Sequence, residues 1–122
     1  MLATVLKEFI EFEGVHRVTG IARDLAGTLV AIKAHRPGLA LIDIHLDGNA
    51  TGIEVAAKAR EYGVPTLFST ADPLPFPVPE VALGCLCKPY TSYSVSQSLR
   101  IAQQLIRGCP VDHDVPFELE LY

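Results

Sequence analysis

The chain alternates between short apolar runs and longer segments in which apolar residues recur at helical spacing. The helical spacing predicts helices over residues 3–13, 25–36, 52–62 and 92–107. The apolar runs predict strands over residues 15–22, 39–45, 66–70 and 84–88. The run over 39–45 is almost continuously apolar, which is typical of a strand buried on both faces of a parallel sheet. This order favours an α/β fold with helices on both faces of the sheet.

Two segments depart from the alternation of helices and strands. Residues 72–80 carry a proline at every second position from Pro73 to Pro79, which excludes a regular helix. Near the end of the chain, apolar and polar residues alternate from Val115 to Tyr122, which predicts a strand with one polar face. We therefore expect a domain over residues 1–108 and a C-terminal extension over 109–122.

Composition narrows the class of protein. The chain has 122 residues, 49% of them hydrophobic, and a net charge of −4 with scattered basic residues. These values fit one domain and do not indicate a nucleic-acid partner. No apolar run approaches the roughly 20 residues of a membrane span, and the acidic N-terminal stretch does not match a secretory signal. Three cysteines, an odd number, are typical of free thiols in a reducing compartment, so we expect a cytoplasmic protein.

Three side chains with complementary chemistry stand at the ends of predicted strands. Asp43, Thr70 and Lys88 each fall at the carboxyl end of a strand, which is where open α/β sheets place their sites. Transfer of a phosphoryl group onto a carboxylate needs an exposed Asp as nucleophile. It also needs positive charge against the transferring oxygens, and it gains from a hydroxyl that binds the product phosphate. This set of residues matches those requirements.

Two stretches of sequence resemble the receiver domain of bacterial two-component response regulators. The segment PGLALIDIHLDGNATGIEVAAKAREYGVPTLFSTAD resembles the middle of such a domain, and GCLCKPY resembles its lysine–proline motif. The resemblance covers about residues 1–108 and implies a flavodoxin-like fold with a parallel sheet between two helix layers. It also implies that Asp43 is the phosphoryl acceptor, Thr70 the conserved hydroxyl residue and Lys88 the conserved lysine.

The same resemblance implies a cofactor and partners. Mg²⁺ would be held at Asp43 and at the backbone carbonyl of His45. The phosphoryl donor would be a sensor histidine kinase or a histidine phosphotransfer protein. We expect a receiver domain that forms the whole protein, is not an enzyme and acts through protein contacts in a phosphorelay, with a homodimer as one form of assembly.

Three features differ from the pattern of the family. The first strand of the family, which ends in an acidic pair that holds Mg²⁺, has no counterpart here, because Met1 falls inside the helix that follows it. Either the chain is truncated relative to its relatives or it is a natural variant. Cys85 occupies the place of the aromatic switch residue, so the usual coupling of threonine to an aromatic residue is in question. The proline-rich stretch over 72–80 replaces much of the fourth helix, which we expect to be irregular or lost.

The missing strand would lie in the centre of the sheet, between the predicted strands over 15–22 and 39–45. Buried backbone groups left without partners there would cost roughly 1–3 kcal/mol each, so the slot must be filled or the sheet must close around it. The tail after Pro110 is a candidate to pair with a sheet, either in its own chain or in a swapped homodimer. Its acidic alternation favours an edge of the sheet over the central slot.

Several alternatives stay open at this point. Asp43 could cap a strand–loop junction and form a vestigial ion pair with Lys88 that has no chemistry, while Thr70 could be an ordinary strand residue. Asp72 could partly replace the lost acids or simply start a turn. Cys85 and Cys87, on one face of a strand, suit core packing better than redox chemistry or zinc binding. The triplet Asp112-His113-Asp114 resembles a metal site only superficially, because a solvated tail explains it.

The main alternative function is a pseudo-receiver that never carries phosphate and serves as a dimerisation or docking scaffold. The missing acids, Cys85 and the prolines favour this alternative, whereas the joint presence of Asp43, Thr70 and Lys88 favours the phosphoacceptor. An enzyme acting on a small molecule is a third hypothesis, but the sequence contains no evident nucleophile–base pair or glycine-rich phosphate loop.

Overall fold

The computed structural model describes residues 7, 8, 10, 11, 16–18, 20, 24–44, 51–71, 76–111 and 114–122. The helices and strands within these ranges, in chain order, are α1 (Leu25–His35), β1 (Ala40–Asp43), α2 (Gly52–Glu61), β2 (Thr66–Thr70), β3 (Gly84–Cys87), α3 (Ser92–Ile106) and β4 (Leu119–Leu121). In the first predicted helix, the described residues 7, 8, 10 and 11 are helical. Apart from the strand predicted over residues 15–22, the observed order follows the periodicity of the sequence, and the bounds of α1, α2, α3, β1, β2 and β3 lie within two residues of the predicted ones.

The four strands form one sheet in the order β1-β2-β3-β4. The first three strands are parallel, with Asp43 opposite Ser69 and Thr70 opposite Cys87. Strand β4 is antiparallel to β3 and lies at the edge of the sheet. This α/β arrangement confirms the predicted fold class, and the C-terminal strand occupies an edge, as its acidic alternation favours.

Each helix begins at a side chain that accepts a hydrogen bond from the first turn. Asp24, Thr51 and Thr91 hold extended backbone and accept from backbone N–H groups at the starts of α1, α2 and α3 respectively. Such caps satisfy donors that have no partner inside the helix. Helix α1 ends at Arg36 in the left-handed conformation, with φ of 48°, directly before Pro37. These signals explain why the predicted helix bounds are close to the observed ones.

Two apolar layers cover the two faces of the sheet. On one face, Ile42 and Phe68 pack with Val55 and Ala56 of α2. On the other face, Leu67 and Leu86 pack with residues of α3, including Leu99. The side chains of consecutive strand residues point to opposite faces of a sheet. Because an apolar layer covers each face, all five residues of β2 are buried.

The predicted strand over 15–22 is wrong for the residues that the structure describes. His16, Arg17, Val18 and Gly20 lie outside any strand, and the sheet begins at β1. A strand needs a neighbour with which to exchange backbone hydrogen bonds. A cavity lies between these residues and β1, so they have no ladder to join.

The proline-rich stretch has the irregular structure that its sequence predicts. Residues 76–83, the described part between β2 and β3, form turns and no helix. Val78 and Ala82 are nevertheless buried and pack against Cys85 and Phe68 in the core. This segment therefore covers the sheet without a fourth helix, and residues 72–75 lie outside the described ranges.

Candidate functional site

The side chains of Asp43 and Lys88 meet at the carboxyl ends of the strands. Lys88 Nζ lies 3.1 Å from Asp43 Oδ2 and donates a hydrogen bond to it. The Asp43 side chain is 36% exposed and that of Lys88 is 22% exposed. A carboxylate in this setting can be reached by a reactant and stands beside a positive charge, which are the two conditions for accepting a phosphoryl group.

The position of Asp43 follows from the contact of α2 with the end of β1. The N–H of Gly52 donates to the carbonyl oxygen of Ile44 at 2.8 Å. A Cβ atom at position 52 would collide with the backbone oxygen of Asp43. Glycine therefore lets the first turn of α2 lie directly against the strand end that carries the carboxylate.

The position of Lys88 is set by its place directly after β3. Its backbone N–H donates to the carbonyl oxygen of Thr70 at 2.8 Å, which ties the ends of β2 and β3 together. The peptide bond between Lys88 and Pro89 is cis, as the resemblance to receiver domains implies. The two strand ends thus place Lys88 beside Asp43, which lies 45 residues earlier in the chain.

Thr70 and Ser69 present their hydroxyl groups differently. Thr70 ends β2 and is 1% exposed. Ser69 lies opposite Asp43 in the register of the sheet, lines the same cavity as Asp43 and Lys88, and shares a hydrogen bond with Tyr90. The oxygens of Ser69 and Tyr90 are 3.0 Å apart, and both residues are buried. The geometry therefore adds Ser69 and Tyr90 to the predicted set of residues near the carboxylate.

A cavity of about 580 Å³ extends from this ion pair along β1, and its described lining includes residues 37–43. Its lining includes Asp43, Lys88, Ser69 and Tyr90. Sequence reasoning did not find the other polar members of the lining, among them His16 and Arg17, because basic residues in an irregular segment follow no periodic pattern. His16 and Arg17 therefore face the same cavity as Asp43.

The described residues do not make a complete Mg²⁺ site. Magnesium prefers six oxygen ligands and usually takes one or two carboxylates together with phosphate oxygens and water. Within the described ranges, no group of three or more His, Cys, Asp or Glu side chains is placed to hold a metal. Among the described residues that line the cavity, Asp43 is the one with a carboxylate. The predicted ligand His45, together with Asp72, Asp112 and His113, lies outside the described residues.

Two further expectations can be compared with the described residues. Cys85 is fully buried in the core and Cys87 packs against that core, while the three cysteines are free thiols. Among the helices of the described part, none is long and apolar enough to cross a membrane.

Comparison with solved structures identifies the class of this fold. The receiver domain of a modulated diguanylate cyclase from Desulfovibrio desulfuricans G20 superposes with a TM-score of 0.73 at 25% identity, covering 86% of each chain. The receiver domain of the response regulator NarL from Mycobacterium tuberculosis superposes with a TM-score of 0.71 at 29% identity, again covering 86% of each chain. The chemotaxis protein CheY4 of Vibrio cholerae, at 18% identity and a TM-score of 0.66, shares the fold.

The chain has the flavodoxin-like fold of receiver domains of response regulators, which confirms the resemblance seen in its sequence. Among curated sequences, it is 42% identical over 57 residues to a transcriptional regulatory protein, NarL of Mycobacterium tuberculosis. That match covers 47% of this chain and 26% of the relative, so the matched stretch spans about a quarter of that protein. No family model matches the sequence.

Proposed function

We propose that this chain is a phosphoacceptor module of a two-component system and that Asp43 receives the phosphoryl group. The observation that carries the proposal is the partly exposed Asp43 carboxylate, 3.1 Å from Lys88 at the carboxyl ends of parallel strands, within a receiver-domain fold. Thr70 and Lys88 keep the roles that the sequence assigns to them, and Ser69 supplies a second hydroxyl beside Asp43.

The reaction transfers one phosphoryl group. A carboxylate oxygen of Asp43 forms a bond to phosphorus while the bond between phosphorus and the donor atom breaks, and the donor keeps that electron pair. The product is an acyl phosphate on Asp43. The Lys88 ammonium, already at hydrogen-bond distance from the carboxylate, stabilises the negative charge on the phosphoryl oxygens during transfer.

The partners and the setting follow from the same proposal. The donor is a sensor histidine kinase or a histidine phosphotransfer protein, and the module works in the bacterial cytoplasm through protein contacts, with a homodimer as one assembly. Among the described residues, Asp43 would hold a bound Mg²⁺, which would supply positive charge against the phosphoryl oxygens. Because the described residues offer it one carboxylate, the dependence on Mg²⁺ has to be measured.

A mass measurement tests the proposal. The chain is incubated with acetyl phosphate, with and without Mg²⁺, beside the variants Asp43→Asn and Asp24→Asn. Asp24 is the matched control because it is an exposed acid that caps α1 and does not line the cavity that contains Asp43. We expect the parent chain and Asp24→Asn to gain one phosphoryl group and Asp43→Asn to gain none.

The outcome separates the two functional hypotheses. A gain that disappears only in Asp43→Asn supports a working receiver domain. If the parent chain gains no phosphoryl group with or without Mg²⁺, the proposal is overturned and the phosphorylation-independent scaffold takes its place. The ion pair between Asp43 and Lys88 would then be structural.

A further inference from the structure

Backbone hydrogen bonds fasten strand β4 to β3 at both of its ends. At one end, the N–H of Tyr122 donates to the carbonyl oxygen of Leu83 at 3.0 Å. At the other end, the N–H of Cys87 donates to the carbonyl oxygen of Glu118 at 2.8 Å. This second bond is made by the residue directly before Lys88, so β4 is fastened beside the end of β3 that carries the site.

Contacts lead without a gap from this bond to the carboxylate of Asp43. The N–H of Cys87 points to Glu118, whereas the N–H of Lys88 donates to the carbonyl oxygen of Thr70 in β2 at 2.8 Å. The Lys88 side chain then reaches Asp43 in β1, with 3.1 Å between Nζ and Oδ2. The end of β3 is therefore tied to β4 on one side and to β2 and β1 on the other, and such a contiguous network can couple two sites.

Strand β4 has the features of an element that opens locally. It has three residues, of which Leu119 alone is buried, whereas all five residues of β2 are buried. The residues just before it include Val115 and Phe117, which are 45% and 101% exposed. Elements with few buried contacts open at a lower free energy than the core of a fold. Strand β4 thus has two states, attached to β3 and detached from it.

We propose that β4 is a detachable strap whose attachment to β3 holds Lys88 in place for the reaction at Asp43. While the strap is attached, the bond to Cys87 keeps the end of β3 in the sheet, and Lys88 stays within hydrogen-bond distance of the carboxylate. When the strap detaches, the end of β3 loses the strand on one of its sides, so Lys88 is positioned less firmly. Attachment therefore speeds phosphoryl transfer, because the ammonium group is already oriented toward the phosphoryl oxygens.

Coupling of this kind acts in both directions. A phosphoryl group on Asp43 carries a charge of about −1.5 to −2, so it attracts the Lys88 ammonium more strongly than the carboxylate does. The end of β3 is then held more firmly, and the strap opens less often. This effect in the phosphorylated chain rests on the proposed function, whereas the coupling between the strap and Lys88 is present in the chain without phosphate.

Hydrogen exchange in the unphosphorylated chain measures the coupling directly. The amide of Tyr122 donates to β3, and the amide of Glu120 does so as well, because alternate residues of an antiparallel strand bond to the same neighbour. We expect Lys88→Ala to speed exchange at both amides by roughly threefold or more, and to leave exchange of the β2 amides within about twofold. Lys58→Ala is the matched control, since Lys58 forms an exposed ion pair within α2, and it should leave exchange in the strap within about 1.5-fold.

Phosphoryl uptake from acetyl phosphate measures the effect of the strap on the reaction. In Gly84→Ala, a Cβ atom would collide with the carbonyl oxygen of Glu120 and push the strap off β3 at the end away from the site. Val64→Ala is the matched control, because it removes apolar volume from a buried cluster with Ile32 and Ala59 that contains no residue of β3 or β4. We expect uptake to slow by roughly three- to tenfold in Gly84→Ala and to stay within about twofold in the control.

Tyr122→Ala is a second way to loosen the strap, because it removes the ring that packs edge-on against Phe68. Where its circular dichroism matches the parent, this variant should slow uptake as Gly84→Ala does. In the phosphorylated parent, exchange at the Glu120 amide should be slower by roughly twofold or more than in the chain without phosphate.

The two experiments fail for different reasons. Equal exchange at the strap amides in Lys88→Ala and in the parent would overturn the coupling, with or without phosphate. Equal slowing of uptake in Gly84→Ala and Val64→Ala would overturn it too, because a general loss of stability would explain both. If the parent takes up no phosphoryl group, the proposed function fails, and the exchange in Lys88→Ala by itself decides whether the strap is coupled to the site.

Discussion

Ser69 and Tyr90 share a buried hydrogen bond, with 3.0 Å between their hydroxyl oxygens, although 21 residues separate them in the chain. The bond joins the end of β2 to the segment after β3, on the side of the sheet where Asp43 and Lys88 meet. Tyr90 is 5% exposed and packs among apolar residues of α3, including Val95 and Leu99. The site is therefore supported by a polar contact inside an otherwise apolar layer.

Tyr90→Phe keeps the ring and removes the hydroxyl, so it leaves the Ser69 hydroxyl in a buried place without this partner. We expect the free energy of unfolding to fall by about 1–3 kcal/mol in urea titrations. Tyr93→Phe is the matched control, since Tyr93 is 66% exposed and its hydroxyl accepts a hydrogen bond from the side chain of Gln97, four residues further along the same helix. Its expected change is below about 0.5 kcal/mol. Equal stability of the two variants would show that the buried hydrogen bond contributes nothing measurable.

Lys88→Ala separates the chemical from the structural role of the ion pair. The pair is partly exposed, so its loss should change the free energy of unfolding by less than about 1 kcal/mol. Loss of the Lys88 ammonium group should slow phosphoryl uptake from acetyl phosphate by roughly 10- to 100-fold. Lys58→Ala is the control, because Lys58 forms a more exposed pair with Glu61 at 3.4 Å. An unchanged uptake rate in Lys88→Ala would contradict the assigned role.

Gly84→Ala should loosen the C-terminal strand. A Cβ atom at this position would collide with the backbone oxygen of Glu120 in β4, so β4 would have to move away from β3. We expect faster hydrogen exchange over residues 119–121 and a lower melting temperature. Gly38→Ala is the control, since nothing lies within 4 Å of a Cβ atom there. Unchanged exchange in Gly84→Ala would mean that β4 does not depend on this close approach.

Cys85 should resist thiol reagents while the chain is folded. It is fully buried, and burial, followed by the nearby Cys87, raises the pKa of its thiol from 9.0 to about 12. At pH 8 we expect iodoacetamide to modify the exposed Cys109 first, with Cys85 modified only after denaturation. Intact and peptide masses, with Cys109→Ser as control, check this order. Alkylation of Cys85 in the native chain as fast as that of Cys109 would contradict the buried position.

The same pKa predicts a pH dependence of stability. Below pH 9 the Cys85 thiol is protonated in both the folded and the unfolded chain, so its contribution to stability is fully present. Between about pH 9 and pH 12 the unfolded chain loses this proton while the folded chain keeps it. Stability should therefore fall as pH rises through this range, and Cys85→Ala should show a shallower fall in its melting temperature.

The sequence predicted the parts of the fold that depend on local pattern. The apolar run over 66–70 predicted the observed bounds of β2, and the helical spacing predicted the observed starts of α1, α2 and α3. The meeting of Asp43 with Lys88 was also predictable, because both stand at the carboxyl ends of strands in one parallel sheet. These features follow from local sequence pattern together with the general rule that the carboxyl ends of parallel strands meet at one edge of the sheet.

Features that depend on distant neighbours could not be predicted from the sequence. The apolar pattern over 15–22 suits a strand, but its described residues have no adjacent strand to pair with. The bond between Ser69 and Tyr90 depends on the register of β2 with β3 and on the path of the chain after Pro89. The cavity beside β1 likewise depends on segments that are far apart in the chain, including residues 16–18 and α3.

The most direct test of the central claim is to locate the phosphoryl group. After reaction with acetyl phosphate, borohydride reduces an aspartyl phosphate to the primary alcohol of homoserine, and tandem mass spectrometry of the peptides finds the converted residue. The account predicts conversion at position 43, and none in Asp43→Asn. Conversion at another acidic residue, or at none, would contradict the assignment of Asp43 as the phosphoryl acceptor.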